Sequence, residues 1–214
     1  IAIAAPRGHA KSTAITFAYV LAAVLFRERN YVIIISDTEG QATLFLNDIK
    51  RELLENEDII QLFGIEKLEK DQETDIIVRM SDGHQFRIQA KGSEQKVRGL
   101  KWRNQRPDLI VGDDLENDEI VMNPERRDKF RRWMNGALLP ILSKGGAIRL
   151  VGTILHIDSY LENRMPRLQN RYTVVEDLMQ YSTSKLGAWR SVKYKAHNDD
   201  FSAILWPEMY DEKW

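Results

Sequence analysis

The run Tyr31–Ser36, with sequence YVIIIS, constrains the fold of this chain more than any other segment. Its β-branched and aromatic residues do not alternate with polar ones, which is typical of a strand buried on both faces of a parallel sheet. Such a strand needs helices on both faces of its sheet. The run therefore predicts an α/β domain.

The segments around this run alternate between predicted strands and helices. In chain order we predict a strand (1–5), a loop (6–11), a helix (12–29), the run itself, an amphipathic helix (41–54), a hairpin (76–80 and 85–90), a strand (108–112), a helix (124–139), a strand (147–152), a helix (159–168) and a strand (172–175). This order predicts a mostly parallel central sheet flanked by helices. We expect the core to occupy residues 1–157 and a small lid or linker subdomain to occupy residues 158–214.

The amino-acid composition and net charge exclude several classes of protein. The 214 residues are 43% hydrophobic and 29% charged, which suits one globular domain with a small addition. No apolar run reaches the roughly 18 residues that span a bilayer, and no signal peptide opens the chain, so we expect a soluble intracellular protein. The lack of cysteine excludes disulfides and thiolate metal sites. A net charge of −1 excludes a uniformly basic nucleic-acid binder.

The segment APRGHAKST, residues 5–13, lies between the first predicted strand and helix, where a phosphate-binding loop belongs. Its backbone N–H groups and the helix N-terminus can cradle a triphosphate, with Lys11 on the β and γ phosphates and the Ser12 hydroxyl on Mg²⁺. The common Walker A pattern has glycine where this chain has Ala5 and Ala10, and Gly8 restores part of the lost backbone freedom. The alternative is an ordinary turn with a surface lysine.

Acidic residues follow the predicted strand 108–112, at the Walker B position of a P-loop fold. Asp113 suits a metal ligand, and Asp114 or Glu116 suits the group that orients the attacking water, with Asp114 favoured. The alternative is a solvated turn or a helix cap. The two motifs together predict a site for a triphosphate and Mg²⁺.

These motifs resemble those of the phage large terminase ATPases, which are P-loop NTPases of the RecA-like, ASCE type. The resemblance runs through most of the chain and rests on five segments: PRGHAKS (6–12), VRG (97–99), LIVGDD (109–114), VGT (151–153) and the tail LWPE (205–208). It implies an ATPase motor domain that hydrolyses Mg-ATP to drive double-stranded DNA into a procapsid. The tail leads towards a nuclease domain that this sequence lacks, and the start on Ile1 suggests a fragment.

The resemblance also implies roles for single residues. Arg7, Gly8, His9, Ala10, Lys11, Ser12 and Thr13 would bind the nucleotide, Ser12 and Asp113 the metal, and Asp114 or Glu116 the water. Thr153 would sense the γ-phosphate, Arg7 would reach it in cis, and Arg98 would act as an arginine finger on a neighbouring subunit. A solvated charge is the alternative for Arg7, and a structural or DNA-facing role is the alternative for Arg98.

The implied partners are double-stranded DNA, a portal protein, a small terminase subunit and copies of the chain in a ring, although the isolated fragment could be a monomer. The implied location is the procapsid portal in the host cytoplasm, with no membrane contact. Two other functions stay open: a helicase-like nucleic-acid ATPase, and a non-catalytic nucleotide-binding assembly module.

Other notable groups have more than one interpretation. The basic loop 91–106 could bind DNA, form a subunit interface or simply be solvated. The basic residues on the helix 124–139 fit the outer face of an amphipathic helix. His9 and His156 are interpreted as structural. Trp189, Tyr194 and Trp206 are interpreted as subdomain core rather than a base-stacking platform, and no adenine-binding residue is predicted.

Overall fold

The computed structural model describes residues 1–166, 173–176, 178–182, 189–198 and 202–209. The strands in these residues form one sheet of ten, with the order β3-β4-β5-β2-β6-β7-β1-β10-β9-β8. In chain order they are β1 (Ala2–Ala4), β2 (Tyr31–Ser36), β3 (Ile65–Gln72), β4 (Asp75–Met80), β5 (Gln85–Gly92), β6 (Leu109–Asp113), β7 (Ala147–Gly152), β8 (Thr173–Glu176), β9 (Met179–Ser182) and β10 (Ser191–Tyr194).

The centre of the sheet is parallel. Every pairing from β5 through β2, β6, β7 and β1 to β10 is parallel, and the antiparallel pairings lie at the two ends. All six residues of Tyr31–Ser36 are buried, as expected for a strand covered on both faces. The predicted α/β fold with a mostly parallel central sheet is confirmed.

Helices cover both faces of this sheet. They are α1 (Val20–Leu25), α2 (Glu39–Glu55), α3 (Glu57–Phe63), α4 (Asp118–Met122) and α5 (Pro124–Trp133), with π-helical turns before α1 (Thr13–Tyr19) and after α5 (Met134–Leu138). Side chains of β2 alternate between two cores: Val32 and Ile34 pack with α1 and α2, whereas Ile33 and Ile35 pack with α4 and α5. No helix among the described residues is long and apolar enough to cross a membrane.

A buried carboxylate, that of Asp75 at the start of β4, stabilises the antiparallel pairing of β4 with β5. Asp75 is 5% exposed and accepts hydrogen bonds from Nε of Arg87 at 2.8 Å and Nη2 at 2.6 Å, and Lys70 also donates to it. Burial raises the pKa of Asp75, but the hydrogen bonds from Arg87 and Lys70 outweigh burial and hold the pKa below its usual value. Asp75 is therefore ionised in the folded protein at neutral pH.

The prediction of an amphipathic helix with a charged outer face is confirmed for α5. Phe130 is fully buried, whereas Arg132 is exposed. Two further arginines of α5 form ion pairs with Asp158, Arg127 at 3.1 Å and Arg131 at 2.5 Å. These contacts connect α5 to the segment that follows β7.

The structure differs from prediction after β7. The helix predicted over 159–168 is wrong. Within the described part of that range, which ends at Pro166, only a 3-10 turn, Glu162–Arg164, forms. Met165 has φ −74° and ψ 159°, the extended conformation that proline imposes on the residue before it. The strand predicted over 172–175 is present as β8, with Tyr172 outside the described residues.

The last three strands extend the central sheet beyond β1. Ala2 pairs in parallel register with Ser191, and Ala4 with Lys193. β10 therefore lies beside β1 in the core sheet. The division at residue 157 stays a prediction.

Candidate active site

Four parallel strands bring their carboxyl ends to one edge of the sheet. Ser36 of β2 pairs in register with Asp113 of β6, and Asp113 pairs in register with Val151 of β7. Ala4 of β1 is level with Gly152 of β7. Because carboxyl ends of parallel strands share an edge, the loops that follow them meet there and enclose a cavity of about 420 Å³.

The loop after β1 has the left-handed backbone that a phosphate loop requires. Gly8 has φ 76° and Ala10 has φ 49°. Glycine adopts such angles at no steric cost, whereas alanine is strained there. His9, between them, donates a hydrogen bond from Nδ1 to the carbonyl oxygen of Arg7 at 2.9 Å. Ala10 thus has a glycine-like conformation at the position where the common pattern has glycine.

Asp113 lies at the bottom of the cavity and binds two hydroxyl groups. Ser12 Oγ donates to Oδ1 at 3.0 Å, and Thr16 Oγ1 donates to Oδ2. Asp113 is 2% exposed, and burial raises its pKa while the Thr16 and Ser12 hydrogen bonds oppose that rise. The structure therefore brings together Ser12 and Asp113, the two residues predicted to bind the metal.

Thr16 reaches Asp113 from the π-helical turn Thr13–Tyr19, and its side chain is completely buried. π-helical turns are rare and occur often at functional sites. Thr13, the last residue predicted to bind the nucleotide, is exposed at the start of the same turn.

Lys11, Asp114 and Thr153 form a second group in the same place. Lys11 Nζ lies 3.7 Å from Asp114 Oδ2, with the lysine side chain 9% exposed and the aspartate side chain 53% exposed. The Thr153 backbone N–H donates to Asp114 Oδ1 at 2.9 Å, and its Oγ1 donates to the Ala5 carbonyl at 3.4 Å. The end of β7 is thus connected to the acid after β6 and to the loop after β1.

Asp114 adopts φ 44°, a left-handed angle that is uncommon outside glycine and tolerated best by Asn and Asp. The angle turns the carboxylate into the cavity that Ser12 and Asp113 also line. Strained backbone of this kind clusters at functional sites because the surrounding structure must hold it in place.

Glu116 has a different environment. Its Oε1 accepts the Tyr160 N–H at 2.7 Å and its Oε2 accepts the Leu161 N–H at 3.0 Å. Burial raises the pKa of Glu116, while these two backbone hydrogen bonds oppose the rise. Both carboxylate oxygens are thus bound to the segment after β7. This geometry favours Asp114 over Glu116 for orienting water, and the choice between them stays a prediction.

The two predicted arginines lie in different places. Arg7 is exposed and lines the 420 Å³ cavity. Arg98 lines a separate cavity of about 250 Å³, where its Nη2 donates to the Gly136 carbonyl at 3.2 Å. The two arginines therefore line different cavities, and the cis role of Arg7 and the trans role of Arg98 stay predictions.

The oxygen atoms around Asp113 suit Mg²⁺, which is commonly bound by one or two protein side chains together with substrate phosphates and water. Among the described residues, no group of three or more His, Cys, Asp or Glu side chains could hold a metal ion without other ligands. A magnesium ion here would therefore combine Ser12 and Asp113 with phosphate oxygens.

Several residues that line the cavity were not predicted from the sequence. Asp37 and Thr38 follow β2, and Asn117 follows β6 and donates from Nδ2 to Asp37 Oδ1 at 2.9 Å. The position of Asp37 directly after the buried run YVIIIS was a usable signal, because that strand must end at the same edge as its parallel neighbours. Thr16 gave no such signal, since its contact depends on the π-helical turn. His156 Nδ1 accepts the Asp158 N–H at 3.0 Å, and its interpretation as structural stays a prediction.

Comparison with known proteins identifies a fold. No protein-family model and no curated protein matches the sequence. An arginine-to-alanine mutant of the large terminase ATPase domain from Thermus phage P74-26 superposes with a TM-score of 0.55 and 15% identity, covering 79% of this chain and 66% of that one. The corresponding domain without that mutation gives 0.49, 17% identity and coverage of 71% and 58%. The Phi-28 gp11 DNA packaging motor gives 0.39, 10% and coverage of 71% and 46%.

The chain therefore spans less than two thirds of each of these solved chains. The predicted resemblance is confirmed at the level of the fold, on the first of the three superpositions. With the loop after β1 and the acidic residues after β6 at one edge of a mostly parallel sheet, this chain has the fold of a phage large terminase ATPase domain.

Proposed function

We propose that this chain hydrolyses Mg-ATP as the motor domain of a viral large terminase, driving double-stranded DNA into a procapsid. The observation that carries the proposal is the hydrogen bond between Ser12 and Asp113, beside the pair Lys11 and Asp114. This arrangement lies at the strand ends of a sheet in which β7 separates the phosphate-loop strand β1 from the acidic strand β6. That order is the one expected of an ASCE-type P-loop enzyme.

The residues of the cavity divide the work of phosphoryl transfer. The backbone N–H groups of residues 8–13 would bind the phosphates, and Lys11 would neutralise the charge between the β and γ groups. Ser12 and Asp113 would hold Mg²⁺, which supplies charge neutralisation to the transferring phosphoryl group. Thr16 would keep the Asp113 carboxylate in place by hydrogen bonding.

Hydrolysis needs a positioned water in addition. Asp114 would accept a hydrogen bond from that water and direct its oxygen at the γ-phosphorus. A bond forms between the water oxygen and the γ-phosphorus as the bond from that phosphorus to the bridging oxygen breaks, which leaves ADP and inorganic phosphate. The proton of the water passes to Asp114 or to the released phosphate. Thr153, bonded to Asp114, would respond to loss of the γ-phosphate.

Assembly would complete the site. Arg7 would stabilise the γ-phosphate in cis, whereas Arg98 would reach the site of a neighbouring copy in a ring. We further propose that residues 158–214 form a lid or linker, and that portal protein, small terminase subunit and DNA are the partners at the procapsid portal in the host cytoplasm. The fold of the Thermus phage domain supports these roles.

Steady-state Mg-ATP hydrolysis across a range of protein concentrations tests the proposal. We expect Lys11→Ala to abolish turnover, and Lys144→Ala, which removes an exposed lysine from a distant turn, to leave it unchanged. If Arg98 acts in trans, the rate per subunit rises with concentration and Arg98→Ala removes that rise. Arg51→Ala on α2 is the matched arginine control. Equal turnover by the wild type and Lys11→Ala would contradict the proposal.

A further inference from the structure

A second cavity of about 350 Å³ lies beside the phosphate loop, and its lining is mostly apolar. Its floor is one face of two neighbouring strands, since Ile3 and Ala5 alternate along β1 and its extension while Val192 and Tyr194 alternate along β10. Ile15, from the turn after the loop, forms a side wall. A cavity of this volume lies within the range of about 300–1,000 Å³ typical of small-molecule pockets.

The chain after β10 folds back to close this cavity. The Leu205 N–H donates to the Ala196 carbonyl at 2.9 Å, and the Asn198 N–H donates to the Ala203 carbonyl at 3.1 Å. This reversal places Leu205 and Trp206 in the cavity wall. The reversal adds the ring of Trp206 to the cavity wall, beside Tyr194 of β10.

Aromatic rings line the cavity next to the loop. The ring centroids of His9 and Trp206 are 6.5 Å apart, and Tyr194 lines the same space. These side chains are partly buried and therefore present both ring surface and apolar area to a ligand. Flat aromatic ligands bind such walls by stacking and by burial of their surface.

The loop separates two cavities of opposite character. Arg7 and Ser12 line the acidic 420 Å³ cavity, whereas Ala5, His9 and Lys11 line the apolar 350 Å³ cavity. A nucleoside triphosphate has a matching division, since its phosphates, bound with Mg²⁺, suit the acidic cavity and its base is flat and largely apolar. A ligand with phosphates in the loop can therefore extend its base into the apolar cavity.

We propose that this cavity binds the purine base of the nucleotide, with Tyr194 and Trp206 as its aromatic contacts. The inference rests on the proposed function, because it assumes a nucleotide with its phosphates on Lys11 and Ser12. The pocket holds the base mainly through ring contact and burial, so affinity depends on the presence of a base more than on its hydrogen-bonding edge. The tail after β10 thus contributes to the nucleotide site.

Calorimetric titration with ADP and with ribose 5-diphosphate tests this inference, because the two ligands differ only in the base. Stacking and burial of one base predict that the wild type binds ADP at least about tenfold more tightly than ribose 5-diphosphate. Trp206→Ala and Tyr194→Ala should each remove most of that difference. Met209→Ala is the matched control, because Met209 is 61% exposed in the same tail and should leave the difference intact.

The ribose 5-diphosphate affinity reports on the phosphate loop in each variant, so an unchanged value shows that the variant is folded. Equal affinity of the wild type for both ligands, or a difference that survives both aromatic substitutions, overturns the base pocket alone. A wild type that binds neither ligand overturns the nucleotide site as a whole. The two failures are therefore distinguishable.

Discussion

Replacement of Ala10 with glycine should stabilise the folded protein. Ala10 has φ 49°, and left-handed backbone costs a non-glycine residue about 1–2 kcal/mol. Glycine avoids that cost, but it gives the unfolded chain more freedom, which lowers stability by about 0.4–1 kcal/mol. The difference is a net stabilisation of about 0–1.6 kcal/mol, with a central value of about 0.8 kcal/mol.

Ala14→Gly is the matched control for this change. Ala14 is exposed in the π-helical turn that follows the loop, so the same substitution brings no relief of strain there. Glycine inside a helix costs about 0.5–1 kcal/mol relative to alanine. The two substitutions, four positions apart, should thus change the free energy of unfolding in opposite directions.

Urea unfolding measures both effects, as a shift of the midpoint at constant slope. For a chain of 214 residues, 1 kcal/mol corresponds to about 2–4 °C in thermal midpoint, which calorimetry resolves. If Ala10→Gly lowers stability as much as Ala14→Gly, Ala10 is not left-handed in the folded protein. The glycine-like geometry of the loop after β1 would then be refuted.

Three further substitutions test other contacts. Thr16→Val removes a hydrogen bond to the Asp113 carboxylate, so it should cost about 2 kcal/mol of stability and raise the Mg²⁺ concentration for half-maximal hydrolysis. Thr16→Ser keeps the hydroxyl group and should restore both. An unchanged Mg²⁺ dependence of Thr16→Val would contradict the positioning role. Gly112→Ala would place a Cβ 2.7 Å and 2.9 Å from two leucine side chains, so it should lower the free energy of unfolding in urea by about 1–3 kcal/mol. If the variant is as stable as the wild type, the packing around Gly112 is looser than described. Asp75→Asn leaves Arg87 without its charged partner and should cost about 3 kcal/mol at pH 7. Because the folded pKa of Asp75 lies below its usual value, its contribution to stability is present at neutral pH and is lost as pH falls through that folded pKa. The free energies of unfolding of the wild type and Asp75→Asn should therefore become equal in acid. A difference in stability that does not change with pH would exclude the ion pair as its source.

Local patterns allowed much of the site to be predicted from sequence. The loop 5–13 and the acids after β6 were identifiable because each motif is contiguous in the chain, and parallel strands bring their ends together. β3 was missed because its exposed edge carries charged residues that do not resemble a buried strand. The hydrogen bonds of Glu116 were not predictable, since its partners Tyr160 and Leu161 are 44 and 45 residues away in sequence.

Backbone detail was also beyond the sequence. The π-helical turn that brings Thr16 to Asp113 has no reliable signature, and a regular helix was the natural prediction. The wrong prediction of a helix over 159–168 differs, because the sequence did contain the signal. Pro166 imposes an extended conformation on the residue before it, and this effect outweighed the apparent helical pattern.

The position of β1 in the sheet sets the order in which the protein can fold. Its two neighbours, β7 and β10, begin at Ala147 and Ser191, and so β1 is synthesised long before either of them. Contacts of such long sequence separation form slowly, because closing a long loop costs entropy before the contact stabilises it. The loop after β1 would therefore be among the last parts of the core to acquire its structure. Until β10 is made, β1 would be an edge strand with unpaired backbone groups, open to pairing with another chain.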